Sequence, residues 1–251
     1  MWHNMKLGKA KPKIDKRTLK LEDYVEPDEI TKRPKDCDWT KSVGSYGMML
    51  NDRIGDCAVA GPGHMQQTWT KNAQSNMWFP TDEQILEAYK EISGYDGSDE
   101  TDSGCVMLDV LNYWRQTGIG GHKIAAYVAV DPKNFAHVEA AIYLFGGVDT
   151  GFALPRTAAN QSIWSVVGDG QSGDSQPYSW GGHCVPILAY NDDNPTCITW
   201  GQRLQMTWGF MRVYCDECYA VLSEDWLNNR KAPNGFDIDA LLADLKKVEA
   251  A

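Results

Sequence analysis

Leu50-Asn51-Asp52-Arg53-Ile54-Gly55-Asp56-Cys57-Ala58-Val59-Ala60-Gly61 decides how the rest of the chain is read. A polar loop with a glycine hinge leads into small residues opened by a cysteine. Read as loop into helix, the run sets Cys57 beside unpaired backbone N–H groups and the positive end of a helix dipole. A thiol held there gives up its proton more readily and becomes the better nucleophile. A lone cysteine is more often a packing residue, so this reading needs a partner elsewhere.

The partner stands far downstream, in Trp180-Gly181-Gly182-His183-Cys184-Val185-Pro186-Ile187-Leu188-Ala189-Tyr190-Asn191. His183 opens an apolar, strand-like run that ends in a polar turn. A cysteine with a histidine distant in sequence is the pattern of thiol nucleophile catalysis. On these residues the chain resembles the papain-like cysteine peptidases, with some features of the bacteriocin-leader peptidases, which carry Asp-Cys at the nucleophile. The family places a Gln ahead of its Cys with five residues between, and a Gly two before the Cys. Asn51, Gly55 and Cys57 match those positions. The family's histidine strand, His-Ala-Val-x-x-x-Gly-Tyr, is matched by His183-Cys184-Val185 and Ala189-Tyr190. Its Asn-Ser-Trp-Gly is matched by Ile198-Thr199-Trp200-Gly201, with Trp200 in place of the indole that shields the His-to-Asn hydrogen bond. The orienting Asn is absent. Counting from the histidine puts Thr199 there, and anchoring on Trp-Gly puts Ile198; Asn191 and Asp192 are alternatives just past the strand. Asp38-Trp39-Thr40 is similar to the Asp-Trp-Arg at which mature papain-like domains begin, so the match spans residues 38–225.

The resemblance implies an α+β, papain-like two-lobe fold. A helical lobe over residues 36–120 would carry the Cys57 helix and pack on an antiparallel β lobe over residues 121–228. It also implies a mechanism. A Cys57 thiolate paired with a His183 imidazolium attacks a peptide or isopeptide carbonyl, and His183 protonates the leaving amine. The Cys57 N–H and the Asn51 side chain, one methylene shorter than Gln, would hold the oxyanion. Thr199 would orient His183, while Gly104 and Trp200 would contact substrate. No cofactor or metal is implied. The alternative is a papain-fold structural or assembly protein, such as a phage virion component, with a vestigial site and a basic arm that binds partners. The arm, the missing Asn and the Asn51 substitution motivate that alternative. Retention of Cys57, His183 and Trp200 together favours the hydrolase, since a scaffold needs none of them.

At 251 residues and 43% hydrophobic, the chain can bury one core or two packed lobes. Its net charge of −10 is uneven: residues 1–20 hold seven Lys/Arg against Asp15 alone, leaving −16 for the remainder. Residues 1–35, with few large apolar side chains and with Pro12, Pro27 and Pro34, read as a basic, solvated, partly extended arm. Two functional readings stand beside that one. The arm lies over the active-site groove, as propeptides do in the family it resembles, or it docks on an acidic partner. That partner would be a second copy of the chain or a virion component. Nucleic acid ranks last, because the arm lacks interleaved aromatics and any recognised module. No apolar run reaches membrane-spanning length, and the N-terminus lacks the apolar core of a signal peptide, so a cytoplasmic location is expected.

Element by element, residues 57–76 read as the central helix, with Pro62 expected to kink or delay it and His64 as a packed or exposed histidine. Thr81 and Gln84 form a capping-box spacing ahead of Ile85, Leu86, Tyr89 and Ile92. Residues 94–104 read as a solvated acidic loop, lacking the glycine and terminal glutamate of a calcium loop. Ser103-Gly104-Cys105 precedes a helix over 106–117, which offers Gly104 for pairing with substrate backbone. Strands are expected over 123–130, 147–154, 196–199, 206–214 and 219–222, a helix over 134–144, and a surface loop over 168–175. Residues 237–248, with Ile238, Leu241, Leu242 and Leu245 on one face, read as a closing helix. The seven cysteines are expected as reduced thiols, and Cys215-x-x-Cys218 lacks the second pair that a zinc site needs.

Overall fold

The computed structural model of the chain describes residues 2–25, 27–74, 76–227 and 232–234. The helical half contains α1 (Pro27–Thr31), the short strand β1 (Cys37–Asp38), α2 (Cys57–Gln74), α3 (Asp82–Ser93) and α4 (Met107–Gln116). The sheet half contains β2 (Ala126–Ala129), α5 (Phe135–Phe145), β3 (Val148–Leu154), β4 (Ile163–Trp164), β5 (Gly181–Tyr190), β6 (Pro195–Thr199), β7 (Gln202–Met206), α6 (Trp208–Tyr214) and β8 (Cys215–Leu222). The strands line up as β2-β8-β3-β5-β6-β7-β4, with β1 pairing against β5. Every pairing is antiparallel except β4 with β7. This is the α+β architecture expected, a helical lobe against an antiparallel sheet.

Two elements meet to make the site. α2 is buried round most of its circumference, from Cys57 to Thr70, and packs on β5. Its small residues set how closely it can lie. A Cβ at Gly61 would make ordinary contact with Asp149 Oδ1 at 3.4 Å and Cys184 Sγ at 3.5 Å, so a methyl group would fill the space between α2 and the sheet. α2 neither starts late nor breaks at Pro62. The Asp56 carbonyl accepts the first helical bonds, from the N–H groups of Val59 and Ala60, at 2.7 and 3.0 Å. β3 is buried at all of its positions, as a central strand covered on both faces must be. α3 starts where the capping box puts it, with both reciprocal bonds between Thr81 and Gln84 formed. His64 is the packed histidine: its Nε2 lies 2.8 Å from the Gly47 carbonyl, and burial lowers its pKa to about 4.

Two expectations fail here. Residues 206–214 do not continue the sheet as one strand. β7 ends at Met206, then the Thr207 side chain accepts from the Phe210 N–H at 3.0 Å and caps α6. The buried residues Phe210, Met211 and Tyr214 follow the helical period rather than alternation. Nor is the N-terminal arm a solvated tail. Trp2, Lys9, Leu21 and Val25 are buried, and the Ala129 N–H donates to the Leu19 carbonyl at 2.7 Å, tying the arm to the edge of β2. Its apolar anchors are too widely spaced to show a period, and the rest of its hold on the body comes from backbone hydrogen bonds and from the buried Lys9 side chain. The closing helix expected over 237–248 lies outside the described residues. Among those residues, no helix is long and apolar enough to cross a membrane.

Candidate active site

Cys57 sits at the first position of α2, at the end of a loop fastened from several sides. The Gly55 N–H donates to Asp102 Oδ1 at 2.8 Å, and the Tyr89 hydroxyl donates to the same oxygen at 2.6 Å. Asp102 comes from the acidic stretch expected to be solvated. Instead its carboxylate is largely buried and pins the loop that presents the thiol. Nothing in the spacing of that stretch marks Asp102 apart from Asp96, Asp99 and Glu100. Asn51 Nδ2 donates to Asp56 Oδ1 at 3.0 Å and to the Ile54 carbonyl at 3.4 Å, so its amide is committed within the loop. Just before it, Met49 and Leu50 hold left-handed backbone, φ 53° and 67°. Non-glycine residues enter that region at a cost and are kept there only by surrounding packing.

From the other side, β5 carries His183, whose Nε2 lies 2.8 Å from Thr199 Oγ1 on β6. The Trp200 indole stacks on the imidazole at 4.6 Å and 18°. Of the candidates for the orienting place, Thr199 is the one that touches His183. Ile198 is in the core, Asn191 accepts the N–H groups of its own turn from Asp193 and Asn194, and Asp192 is exposed. The Cys184 N–H, one residue on from His183, donates to Cys57 Sγ at 3.3 Å, which brings the two motifs together across the lobes. His183 Nδ1 is buried without a partner, and no hydrogen bond joins it to Cys57. Burial pushes the Cys57 thiol up to about 12 and the His183 imidazole down to about 3. Both groups are neutral here.

The N-terminal arm covers Cys57, while Trp164 and Trp200 close over His183. Residues 6–10 pass through the cleft between the two lobes. The Gly8 backbone lies beside Cys57, while the Gly8 carbonyl accepts from the Cys105 N–H at 2.8 Å. The Ala10 N–H donates to the Cys105 carbonyl at 2.9 Å, and the Lys9 N–H to the Gly182 carbonyl at 3.0 Å. Upstream, Trp200 Nε1 donates to the Lys6 carbonyl at 3.2 Å, and Trp2 stacks on Trp200 at 5.1 Å. The passage is as wide as a backbone. A Cβ on Gly8 would stand 1.7 Å from the Gly55 carbonyl oxygen, and one on Gly104 would stand 2.1 Å from that of Gly8. Gly104 therefore provides clearance, and the pairing expected of it is made by Cys105; the Gly104 N–H donates to the Tyr89 hydroxyl at 3.0 Å.

The seven cysteines are free thiols, and among the described residues no cluster of His, Cys, Asp or Glu could hold a metal ion. No family model and no curated protein matches the sequence. Solved structures do. Xylellain, a cysteine protease from Xylella fastidiosa, superposes with a TM-score of 0.69 at 15% identity, covering 89% of this chain and 98% of that one. The recombinant stem bromelain precursor gives 0.57 at 15%, over 89% of this chain and 79% of that one. A proCathepsin B from Trypanosoma congolense gives 0.60 at 10%, over 87% of each. The chain has the papain-like fold.

Proposed function

We propose that this papain-fold chain is a thiol hydrolase of peptide or isopeptide bonds, held latent by its own N-terminal segment. One observation carries the reading. Both walls of the cleft, Cys105 and Gly182, hydrogen-bond the backbone of an extended polypeptide that runs directly over Cys57. A groove that holds one extended chain in this way can hold another. The stem bromelain and cathepsin B structures are themselves described as a precursor and a pro-form.

The arm blocks without being attacked. The Gly8 carbonyl is turned to the Cys105 N–H, so it is engaged on the cleft wall and is not offered to a donor beside Cys57. When the arm leaves, water and substrate restore polarity around the pair, and the Cys57 proton passes to His183 Nδ1. Thr199 Oγ1 then accepts from the Nε2–H, and Trp200 keeps water off that bond. The thiolate adds to the substrate carbonyl carbon. The Cys57 N–H holds the developing oxyanion, and Asn51 joins it if its amide lets go of Asp56; one such donor supplies about 3 kcal/mol. His183 gives its proton to the leaving amine, which departs and leaves a thioester. Water, deprotonated by His183, adds to the thioester and releases the acid and the Cys57 thiol.

The assembly-protein reading keeps one observation in its favour, the commitment of the Asn51 amide to Asp56. A single experiment separates the two. The full chain carrying Gly8→Ala, whose added Cβ cannot share space with the Gly55 carbonyl, is given a diverse peptide mixture, and products are read by mass spectrometry. Cleavage that disappears with Cys57→Ala and with His183→Ala supports the hydrolase. An opened chain whose Cys57 alkylates readily but which cuts nothing supports the scaffold.

A further inference from the structure

One residue along from Gly8, the arm drives a lysine into the body of the protein. The Lys9 side chain is fully buried, a position unfavourable for an ammonium unless opposite charge is brought to it. That charge is at hand. Nζ lies 3.0 Å from Asp216 Oδ1 and 3.0 Å from Glu217 Oε2, with the Tyr178 hydroxyl at 3.5 Å. Each carboxylate is steadied by a tyrosine: Tyr178 donates to Asp216 Oδ2, and Tyr219 donates to Glu217 Oε1 at 3.0 Å.

The pocket is built into the fold. Adjacent residues on a strand point to opposite faces, yet Asp216 and Glu217 both reach one nitrogen. They do so because the β3–β8 register slips between Gly151, opposite Glu217, and Phe152, opposite Cys215, which leaves Asp216 as the extra residue of a bulge. Gly151 opens the channel for the stem, since a Cβ there would stand 2.1 Å from Lys9 Cε and 2.7 Å from Met107 Sδ. Tyr178 holds left-handed backbone, φ 63°, to present its hydroxyl. Two carboxylates face one ammonium, so the pocket stays anionic even when filled. Emptied, it would leave two neighbouring carboxylates without a cation.

We infer that this pocket is a specificity subsite for a lysine side chain of an extended polypeptide substrate, and that Lys9 fills it in cis as the competing occupant. The inference rests on the hydrolase reading of the same cleft. A slender stem ending in a point charge fits the Gly151 channel and the four acceptors around Nζ, one of them the arm's own Ala10 carbonyl at 3.2 Å. A planar guanidinium asks for a bidentate, edge-on arrangement instead.

The test uses the full chain with Lys9→Met and reads iodoacetamide alkylation of Cys57, which needs no turnover. Capped peptides with the sequence of residues 2–13 are added in trans, with either lysine or norleucine at the place of Lys9. The lysine peptide should protect Cys57 at a concentration at least about tenfold lower than the norleucine peptide, one charge-assisted contact's worth, and Glu217→Gln should erase the difference. On the unaltered chain and on Gly8→Ala, a positional scan of fluorogenic peptides should show lysine above norleucine by a similar factor at one position. Equal protection by the two peptides overturns the subsite, as does turnover without a lysine preference. Lysine-selective protection with no turnover on any peptide would sustain the cation pocket and defeat the hydrolase reading alone.

Discussion

Two sites lie side by side under Gly8 and Lys9, covered by the same five residues of arm, and burial has opposite consequences in them. At Cys57 and His183 it strips away charge. The thiol rises to about 12 because desolvation outweighs the backbone contacts and the Lys9 charge beside it, and the imidazole falls to about 3 because nothing answers its desolvation. At Lys9 the desolvation is also the largest single influence, but Glu217 and Asp216 outweigh it and raise the ammonium's pKa. Asp149, buried on β3 and hydrogen-bonded by the Cys184 thiol, shows the carboxylate version of the first case: burial, helped by the Glu217 charge, lifts it to about 7. The difference teaches how a segment can silence a nucleophile without touching its chemistry. A buried ion pair anchors the segment, and the dehydration it causes next door keeps the pair it covers neutral.

The comparison is broken most completely by evicting the arm. Gly8→Ala should let the Cys57 thiol pair with His183 and fall below its ordinary range; at pH 7 the drop from about 12 to about 8.5 alone raises the thiolate fraction on the order of a thousandfold, and pairing carries it further. Alkylation rates of the full chain with and without the substitution measure this directly.

Asp149 sharpens the rule that pairing decides. Its folded pKa is raised, so the native state holds a proton that the unfolded chain releases between pH 3.8 and about 7. Wild-type stability therefore loses ground from this group as pH climbs through that window. Asp149→Asn removes the loss. Relative to wild type, the variant should gain up to about 4 kcal/mol between pH 4 and pH 8, read from urea unfolding at the two pH values. A difference that stays flat with pH would mean Asp149 is ionised in the fold.

A smaller effect is expected within the neutral pair itself. Thr199→Val deletes the oxygen at His183 Nε2 and should lower the kcat/KM of the opened chain about tenfold, the ~1.4 kcal/mol of one net hydrogen bond. Thr199→Ser, which keeps the oxygen, should restore most of it.

The parts of the molecule that could be read from the sequence are those where function sits in short, contiguous runs. Cys57 opening a helix, His183 opening a strand, and Thr199-Trp200 after them each occupy a few neighbouring residues, and the papain-like α+β fold follows from their order. Counting could not choose between Thr199 and Ile198; the β5–β6 register does, by setting Thr199 Oγ1 beside Nε2. What escaped the sequence is held by contacts remote along the chain. Lys9 meets Glu217 only because a bulge turns two successive carboxylates to one side, and a bulge leaves no mark in composition. Asp102 looked like one more acid in a polar loop until Gly55 and Tyr89 converged on it. α6 reads as strand in the sequence because its apolar run is short, and Thr207, which caps it, is the signal that marks it as a helix.

The most direct test of the account is the pH profile of Cys57 alkylation in the full chain with Gly8→Ala, with and without His183→Ala. A rate that persists well below pH 7 and collapses when His183 is removed is the predicted result: a thiolate–imidazolium pair that only the arm had kept neutral. A rate that rises only near the ordinary thiol pKa of about 8.5, indifferent to His183, would contradict it.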